Sequence, residues 1–325
     1  MNKNSSKLLT KNYYVLETWM APVAFLIVFI FNCFFTPNFA SWFTIRNIFT
    51  QSTSTVLIAI GMTMVISAGA IDISVGSGYC WNAMLFAVVL EATDSLFLAF
   101  TVAIVSAILI GLINGLNVSK FKIQPMIATM TIMYILRSLA KVLTGGRIVR
   151  IRNDFLKDFV FFKFFDVVPI HFAIILIPIL IGLFLVKKTP FGIYIEACGD
   201  NALAARAAGI KVVKNLSLAY IICNVLAAFG GIFDSAAVSS ADPMALGLGY
   251  EMDAIAATVI GGTPISGGRA NIIGTVFGVF ILRVIIIMIN MNNIPEQWSY
   301  VVSAFVIIVA VVVQNLRKNG NGGKK

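Results

Sequence analysis

Few residues of this chain could act in catalysis or in binding, and they lie within apolar segments of the sequence. Acidic side chains interrupt apolar stretches at Asp72, Asp234, Glu251 and Asp253. The sequence holds one histidine, His171, which leaves almost no material for a histidine-based metal cage or a Ser/His/Asp triad. Carboxylates within long apolar segments often mark the pathway of an ion or a solute. These residues therefore argue against an enzyme and predict no cofactor, and they leave transport driven by an ion gradient open.

The composition sets the kind of element that must position these side chains. Of the 325 residues, 59% are hydrophobic and 12% are charged, and the mean hydropathy is +0.94. A soluble domain carries roughly 25% charged residues, so this chain lacks the charge to cover a surface exposed to water. We expect an all-α fold, a polytopic transmembrane helical bundle in a lipid bilayer. Nucleic acid is not expected as a partner, despite the net charge of +10.

Breaks at Pro, Gly and charge clusters predict about ten spans, some of them broken helices. The third and the eighth are about 13 residues long, which is too short to cross a bilayer straight. Each is a half-helix, a re-entrant piece or part of a longer helix broken at glycine. The predicted limits are 19–36, 51–69, 78–90, 96–116, 125–143, 169–186, 215–237, 250–262, 270–290 and 298–315.

The distribution of Lys and Arg predicts the orientation. With a cytoplasmic N-terminus most of the 24 Lys and Arg residues lie on the inner side, so the positive-inside rule places both termini in the cytoplasm. The predicted regions are a cytoplasmic tail at 1–18, a transmembrane domain at 19–315 and a second cytoplasmic tail at 316–325. Basic residues that oppose this orientation cluster at 144–168, beside several Phe residues. That segment is either a small amphipathic element on the outer membrane surface or the sign of a miscounted span.

One inner segment has the composition of a short exposed helix, at about 196–210. Its pattern is a glycine, an Asp/Asn cap, an Ala-rich turn and a half of helix, and a closing glycine. By composition alone the segment is as readily a solvated connector as a docking surface. The residues that define it are Gly199, Asp200, Asn201, Ala204, Ala205, Arg206 and Gly209.

Two glycine pairs flank the stretch 263–266, which includes Pro264. Such a stretch cannot be regular helix at membrane depth, so it lines a cavity or forms a cytoplasmic turn. The sequence Asp-x-Ser-x-Gly at 72–76 favours helix capping by Asp72, with a contribution to gating as the alternative. Amide side chains are plausible wall residues for a polar solute. The predicted path or gating residues are Asp72, Ser74, Asn82, Asn114, Asn224, Glu251, Asp253, Gly261, Gly262 and Ser266.

The chain has no phosphate-binding loop of the type G-x-x-x-x-G-K-[ST]. If transport is driven by ATP, the ATPase is therefore another polypeptide that contacts an inner surface such as 187–214. A secondary transporter needs no ATPase, so an ion-gradient-coupled carrier of a small polar solute stays open on composition.

Three segments of the sequence resemble motifs of one protein family. They are Ile71–Ser77, Asp200–Gly209 and Tyr250–Arg269. In this order, and over about 20–316, the sequence resembles the permease subunit of ribose-type sugar ABC importers. The family's coupling segment has the form Gly-Asn-x-x-x-Ala-Ala-Arg-x-x-Gly-Ile, which this chain matches with Asp200 added after Gly199.

The resemblance implies a function and a set of partners. The chain would be a bacterial inner-membrane permease that moves a monosaccharide into the cytoplasm, with 196–210 as its coupling helix. Its partners would be ATP-binding-cassette ATPase subunits, a second permease that is identical or paralogous, and an extracytoplasmic sugar-binding protein. ATP hydrolysis would take place on a partner chain.

Overall fold

The computed structural model describes residues 3–165, 167–295, 297–299, 301–305, 308–309 and 312, with side chains from Trp19 onward. The helices are α1 (Lys3–Phe35), α2 (Trp42–Ser67), α3 (Val75–Thr93), α4 (Leu96–Ser119), α5 (Pro125–Thr144), α6 (Asp154–Phe161), α7 (His171–Lys188), α8 (Pro190–Asp200), α9 (Ala202–Ala207), α10 (Val212–Ala237), α11 (Tyr250–Ile260) and α12 (Ile272–Met291). Two-residue strands form two antiparallel pairs, β1 (Val149–Arg150) with β4 (Ser240–Ala241) and β2 (Lys163–Phe164) with β3 (Val168–Pro169).

Seven described helices are long and apolar enough to cross a membrane, by length and composition: α2, α3, α4, α5, α7, α10 and α12. The apolar part of α1, Trp19–Phe35, is shorter. The polytopic helical class is therefore confirmed, while the count of ten stays a prediction. The predicted last span at 298–315 lies partly outside the described residues, of which 297–299, 301–305, 308–309 and 312 are helical. The predicted tail at 316–325 lies wholly outside them.

The prediction of a short third span is wrong, because α3 has 19 residues. The sequence placed the start of this span at Gly78, but the helix begins at Val75 and includes both Gly76 and Gly78. A Cβ on Gly78 would lie 2.8 Å from Asn224 Oδ1 on α10. In a membrane bundle, glycine more often permits close helix contact than ends a helix. The eighth predicted span is short as expected, since α11 has 11 residues.

Four of the described helices form the centre of the bundle, and small residues of α4 pack against two of them. Helices α2, α3, α10 and α12 are largely buried, whereas α4, α5 and α7 are mostly exposed at the periphery. Every fourth residue of α4 is small and buried, and this stripe packs on α3 and α10. Because lipid tails are as apolar as leucine, such close packing, rather than escape from water, holds membrane helices together. The stripe consists of Ala99, Ala103, Ala107, Gly111 and Gly115.

The segment 144–168 contains a short amphipathic helix, as one of the two interpretations expected. Asn153 caps α6 by accepting a 3.0 Å hydrogen bond from the Leu156 N–H. Val160 of α6 is buried with Phe233 of α10, while Phe155 is 67% exposed. Beside it, β1 pairs with β4. This pairing ties the segment to the chain that leads into α11.

Candidate coupling and translocation sites

The predicted coupling segment forms two helices at one end of the bundle, which we call the coupling end. Helix α8 ends at Asp200, and the six-residue α9 follows. Asn201 is the cap, because its Oδ1 accepts from the N–H groups of Leu203 and Ala204, both at 3.0 Å. The chain leaves α9 through Gly209 at φ +83°. The Asn cap and the closing glycine are thus where the sequence predicted them.

One face of α9 is turned away from the bundle and the other is packed into it. Ala205 is buried with Cys198 and Val212. Leu203 is 78% exposed, and Ala204 and Arg206 are exposed beside it. An arginine there presents a planar, multi-donor head to acceptors on another chain.

Behind α9, three glycine backbones meet at one point. They come from the end of α2, the end of α8 and the turn between α11 and α12. A Cβ on Gly267 would lie 2.8 Å from the backbone N of Gly69 and 3.0 Å from the Cα of Gly199. Both Gly69 and Gly267 have positive φ, +82° and +80°. We call Gly69, Gly199 and Gly267 the glycine junction.

The stretch 261–271 is a turn at the coupling end, as one of the two interpretations expected. Its backbone is satisfied locally, since Asn271 Nδ2 donates to the Gly261 carbonyl at 2.8 Å and the Asn271 N–H donates to Thr263 Oγ1 at 3.1 Å. Gly262 has φ +91° and Ser266 is exposed. The carboxylate of Glu196 on α8 accepts the Ala270 N–H at 2.9 Å. Burial raises the pKa of the Glu196 carboxyl.

A second group of predicted residues forms a polar network inside the bundle. Asp72 Oδ1 accepts from Ser74 N–H at 2.9 Å and from Ser74 Oγ at 2.6 Å, and Asp72 Oδ2 accepts from Asn224 Nδ2 at 2.8 Å. Asn114 Nδ2 donates to Ser74 Oγ at 2.7 Å. All four side chains are fully buried. The network joins the start of α3 to α4 and α10. Asp72 accepts the N–H of Ser74, the N-cap residue, and α3 itself has no hydrogen bond to a capping side chain.

The side chain of Asn82 is not a member of this network. Its Nδ2 donates to the Gly78 carbonyl within α3, at 2.7 Å, and its Oδ1 has no partner within the described structure. The buried Oδ1 atoms of Asn114 and Asn224 are likewise unpaired there. Unpaired buried acceptors are costly, so these amides mark a region where a polar group could be received after a rearrangement.

Glu251 and Asp253 belong to a different region, where the chain re-enters the bundle ahead of α11. The connection 242–249 brings Gly247 onto Gly76 at the start of α3. Arg137 of α5 donates to the carbonyls of Leu246 and Gly247, at 2.6 and 2.8 Å. Glu251 packs on Gly76, and its buried Oε2 has no partner among the described residues. Arg137 therefore holds the re-entrant connection in place.

A polar cluster around Asp234 was absent from the predicted path residues. Asp234 accepts hydrogen bonds from the Tyr79 hydroxyl and from Ser54 Oγ, the latter at 2.6 Å. The ring of Tyr250 lies 5.1 Å from the ring of Tyr79. The cluster thus connects α2, α3, α10 and the first residue of α11. Asp234 stands out in the sequence as an acid in an apolar run, but its partners are far apart along the chain.

A polar stripe on α5 was also missed by the sequence interpretation. Thr131, Tyr134, Ser138 and Lys141 recur at helical spacing, and all four are exposed. They lie on the face opposite Leu136 and Ala140, which are buried. Polar residues of membrane helices are usually turned toward protein or water rather than lipid. The i, i+3, i+7, i+10 spacing was a readable signal in the sequence.

The structure therefore does not bring the predicted path residues into one site. Asp72, Ser74, Asn114 and Asn224 form the interior network, Glu251 and Asp253 lie at the re-entrant connection, and Gly261, Gly262 and Ser266 belong to the turn at the coupling end. Within the described part of the chain, no group of three or more His, Cys, Asp or Glu side chains could hold a metal ion.

Comparison with known proteins gives a consistent result. A family model described as "Branched-chain amino acid transport system / permease component" matches residues 44–311. The ribose import permease of Escherichia coli K12 is 34% identical over 94% of this chain and 97% of its own length. The galactofuranose transporter permease of the same strain is 33% identical, covering 91% and 89%, and its L-arabinose permease is 31% identical, covering 91% and 90%. No solved structure matches the chain.

The matched region includes α2 to α12 and therefore the coupling helices, the glycine junction and the re-entrant connection. The resemblance that the three sequence motifs indicated is confirmed, and the chain belongs to the permease-component family of transport subunits rather than to a family of enzymes.

Proposed function

We propose that this chain is the transmembrane permease subunit of an ATP-binding-cassette importer that moves a monosaccharide into the cytoplasm. The observation that carries the proposal is the exposed α9, backed directly by the glycine junction. Separate ATPase subunits would drive it, and an extracytoplasmic binding protein would deliver the sugar.

The coupling residues have the geometry that such a machine needs. A permease must convert closure of the ATPase into movement of its helices, which requires a short rigid contact on the outside and packed helix ends behind it. Helix α9 supplies the contact with Leu203 and Arg206. Gly199 packs the end of α8 on the end of α2 and on the turn between α11 and α12. A force on α9 thus reaches the end of α2 and the turn that leads into α12.

This function fixes the orientation that we propose. The coupling end faces the cytoplasm, so the chain crosses outward in α1 and inward in α2, and alternates from there. The connection 242–249 together with α11 makes one inward crossing, as a half built of turns followed by a half-helix. With the helical residues around 297–312 as a last inward crossing, the chain crosses ten times, and both termini lie in the cytoplasm.

We propose that the α5 stripe lines the path together with a second permease, identical or paralogous. The stripe carries three hydroxyl groups, on Thr131, Tyr134 and Ser138, and sugar hydroxyls need neutral donors and acceptors rather than charges. Glu251 and Asp253 would act in gating, because they lie beside the re-entrant connection that Arg137 of α5 holds through two hydrogen bonds. The interior network would hold α3, α4 and α10 together while these parts move.

The substrate class follows from the relatives and the stripe together. The three relatives described above are named for ribose, galactofuranose and arabinose, whereas the family description names branched-chain amino acids. The ammonium and carboxylate groups of an amino acid need charged or strongly dipolar partners. The three hydroxyl groups of the stripe suit a sugar better, and its one charged member, Lys141, offers no partner for an ammonium group. Which sugar is carried would depend largely on the binding protein.

The test is reconstitution in liposomes with the ATPase subunits and the binding protein. We expect uptake of a labelled pentose or hexose, and this uptake should require ATP and persist when a protonophore is present. Uptake of labelled leucine should be lower than uptake of the sugar. Uptake of leucine alone would overturn the sugar assignment. Accumulation driven by a proton or sodium gradient, in liposomes that hold this chain alone, would overturn the ABC function and favour an ion-coupled carrier.

A further inference from the structure

Glu196 makes a contact between the coupling helices and the membrane helices that differs in kind from the glycine junction. It lies on α8, three residues before Gly199, and is only partly exposed. Its Oε1 accepts the N–H of Ala270, a residue 74 positions later in the chain. Ala270 directly precedes Asn271, the N-cap of α12. The Glu196 carboxylate is thus bonded to the backbone at the start of α12.

The same turn is bonded to α2. The N–H of Gly268 donates to the carbonyl of Ser67, the last residue of α2, at 2.9 Å. The residues 267–271 therefore lie between two attachments, one from α8 through a side chain and one from α2 through the backbone. A displacement of this turn necessarily displaces the start of α12 and acts on the end of α2.

The glycine contacts and the hydrogen bonds resist different movements. Glycine backbones in van der Waals contact strongly oppose being pressed together, but their attraction is weak when they are drawn apart. A hydrogen bond to a charged acceptor opposes separation and is directional. A transport cycle moves the coupling helices toward the bundle and back again. The glycine junction alone would therefore transmit the inward movement but not the return movement.

We propose that Glu196 is a positioning residue that makes the turn 267–271 follow α8 when the ATPase subunits draw the coupling helices back. This inference rests on the proposed function. The Glu196–Ala270 bond transmits the return movement to α12, and the glycine junction transmits the inward movement. Loss of the bond leaves ATP hydrolysis in place and separates it from transport.

Variants of one position test the bond. Glu196→Ala removes the acceptor, Glu196→Gln keeps an acceptor oxygen at the same distance, and Glu196→Asp keeps the charge but withdraws it by one methylene. Tyr194→Ala, at an exposed position of the same helix, is the matched control. Amide hydrogen exchange on the purified chain in lipid nanodiscs reports the Ala270 N–H directly. We expect protection to fall at least tenfold in Glu196→Ala and Glu196→Asp, and to be kept in Glu196→Gln and Tyr194→Ala.

The second measurement is the number of sugar molecules imported per ATP hydrolysed by the reconstituted complex. We expect this ratio to fall at least fivefold in Glu196→Ala, to fall in Glu196→Asp, and to be restored in Glu196→Gln. A wild-type ratio in Glu196→Ala, or an equal loss in Glu196→Gln and Glu196→Ala, would overturn the proposal. So would unchanged exchange at Ala270 in Glu196→Ala. Absence of ATP-dependent uptake by the wild-type complex would instead overturn the proposed function, and the exchange measurement would still decide whether Glu196 holds the turn.

Discussion

Asn224 on α10 donates a hydrogen bond of 2.8 Å to Asp72, which precedes it by 152 residues and lies just before α3. Both side chains are fully buried. An ionised or hydrogen-bonding group at such depth is tolerated only with partners, and here the amide and Ser74 supply them. The pair therefore fixes the start of α3 against α10 in the centre of the bundle.

Removal of the Asp72 carboxylate should destabilise the fold. Asp72→Ala leaves Ser74 and Asn224 without their shared acceptor, and a buried unsatisfied donor costs about 1–3 kcal/mol. We expect a lower thermal unfolding midpoint for the purified chain in detergent. Asp72→Asn keeps an acceptor oxygen and should lose less. An Asp72→Ala chain that unfolds at the wild-type temperature would show that the network contributes nothing to stability.

Reversal of charge on the docking helix should abolish uptake and leave the fold intact. Arg206 is exposed on α9, so Arg206→Glu replaces attraction to the ATPase by repulsion without disturbing the core. We expect normal membrane insertion, loss of co-purification with the ATPase subunits and uptake reduced at least tenfold. Lys120→Glu, an exposed charge reversal at the end of α4 and outside 187–214, is the matched control and should transport. Normal uptake and ATPase association in Arg206→Glu would remove the docking role of α9.

The glycine junction should reject any side chain. Gly267 has φ +80°, and a Cβ there would lie 2.8 Å from the Gly69 backbone. Gly249 has nearly the same φ, +78°, with open space around the Cβ position. Gly249→Ala should therefore show only the strain of the left-handed conformation, roughly 1–2 kcal/mol, whereas Gly267→Ala should show that strain and a backbone collision.

The measurement is the thermal unfolding midpoint of each variant in detergent, followed by uptake in the complex. We expect Gly267→Ala to unfold at a clearly lower temperature than Gly249→Ala. Equal midpoints would mean that the three backbones are not in contact. Gly262→Leu and Gly268→Leu, at φ +91° and +87°, should likewise impair transport or assembly. Wild-type uptake by both would show that these glycines are incidental.

Water access should distinguish the two exposed faces of α5. Ser138 belongs to the polar stripe, and Leu139 is exposed on the adjacent face. A thiol reacts as the thiolate, which needs water. In a chain whose native cysteines are replaced by alanine, Ser138→Cys should react with a charged, membrane-impermeant reagent in the assembled complex, and Leu139→Cys should not. Equal labelling of the two, or labelling of Leu139→Cys alone, would contradict a path along this stripe.

The sequence by itself determined the features that depend on neighbouring residues. Long apolar runs require helices in a bilayer, because no other local structure satisfies the backbone there. The cap at Asn201 and the reversal at Gly209 follow from bonds and angles within a few residues of each position. The motif Asp-x-Ser-x-Gly likewise favours the local turn in which Asp72 accepts the Ser74 N–H just ahead of α3. The same local logic failed for the third span, predicted to start at Gly78, because this glycine lies inside α3 and permits close contact with α10.

Only the tertiary structure decided which distant residues meet. No spacing in the sequence relates Gly69, Gly199 and Gly267, and their contact depends on how the ends of α2 and α8 lie beside the turn between α11 and α12. The bond from Glu196 to Ala270 and the sharing of Asp72 by Ser74 and Asn224 arise in the same way. A single sequence carries hydrophobic period and local propensity, but side-chain partners across helices are set by packing, which brings together groups that no spacing along the chain relates.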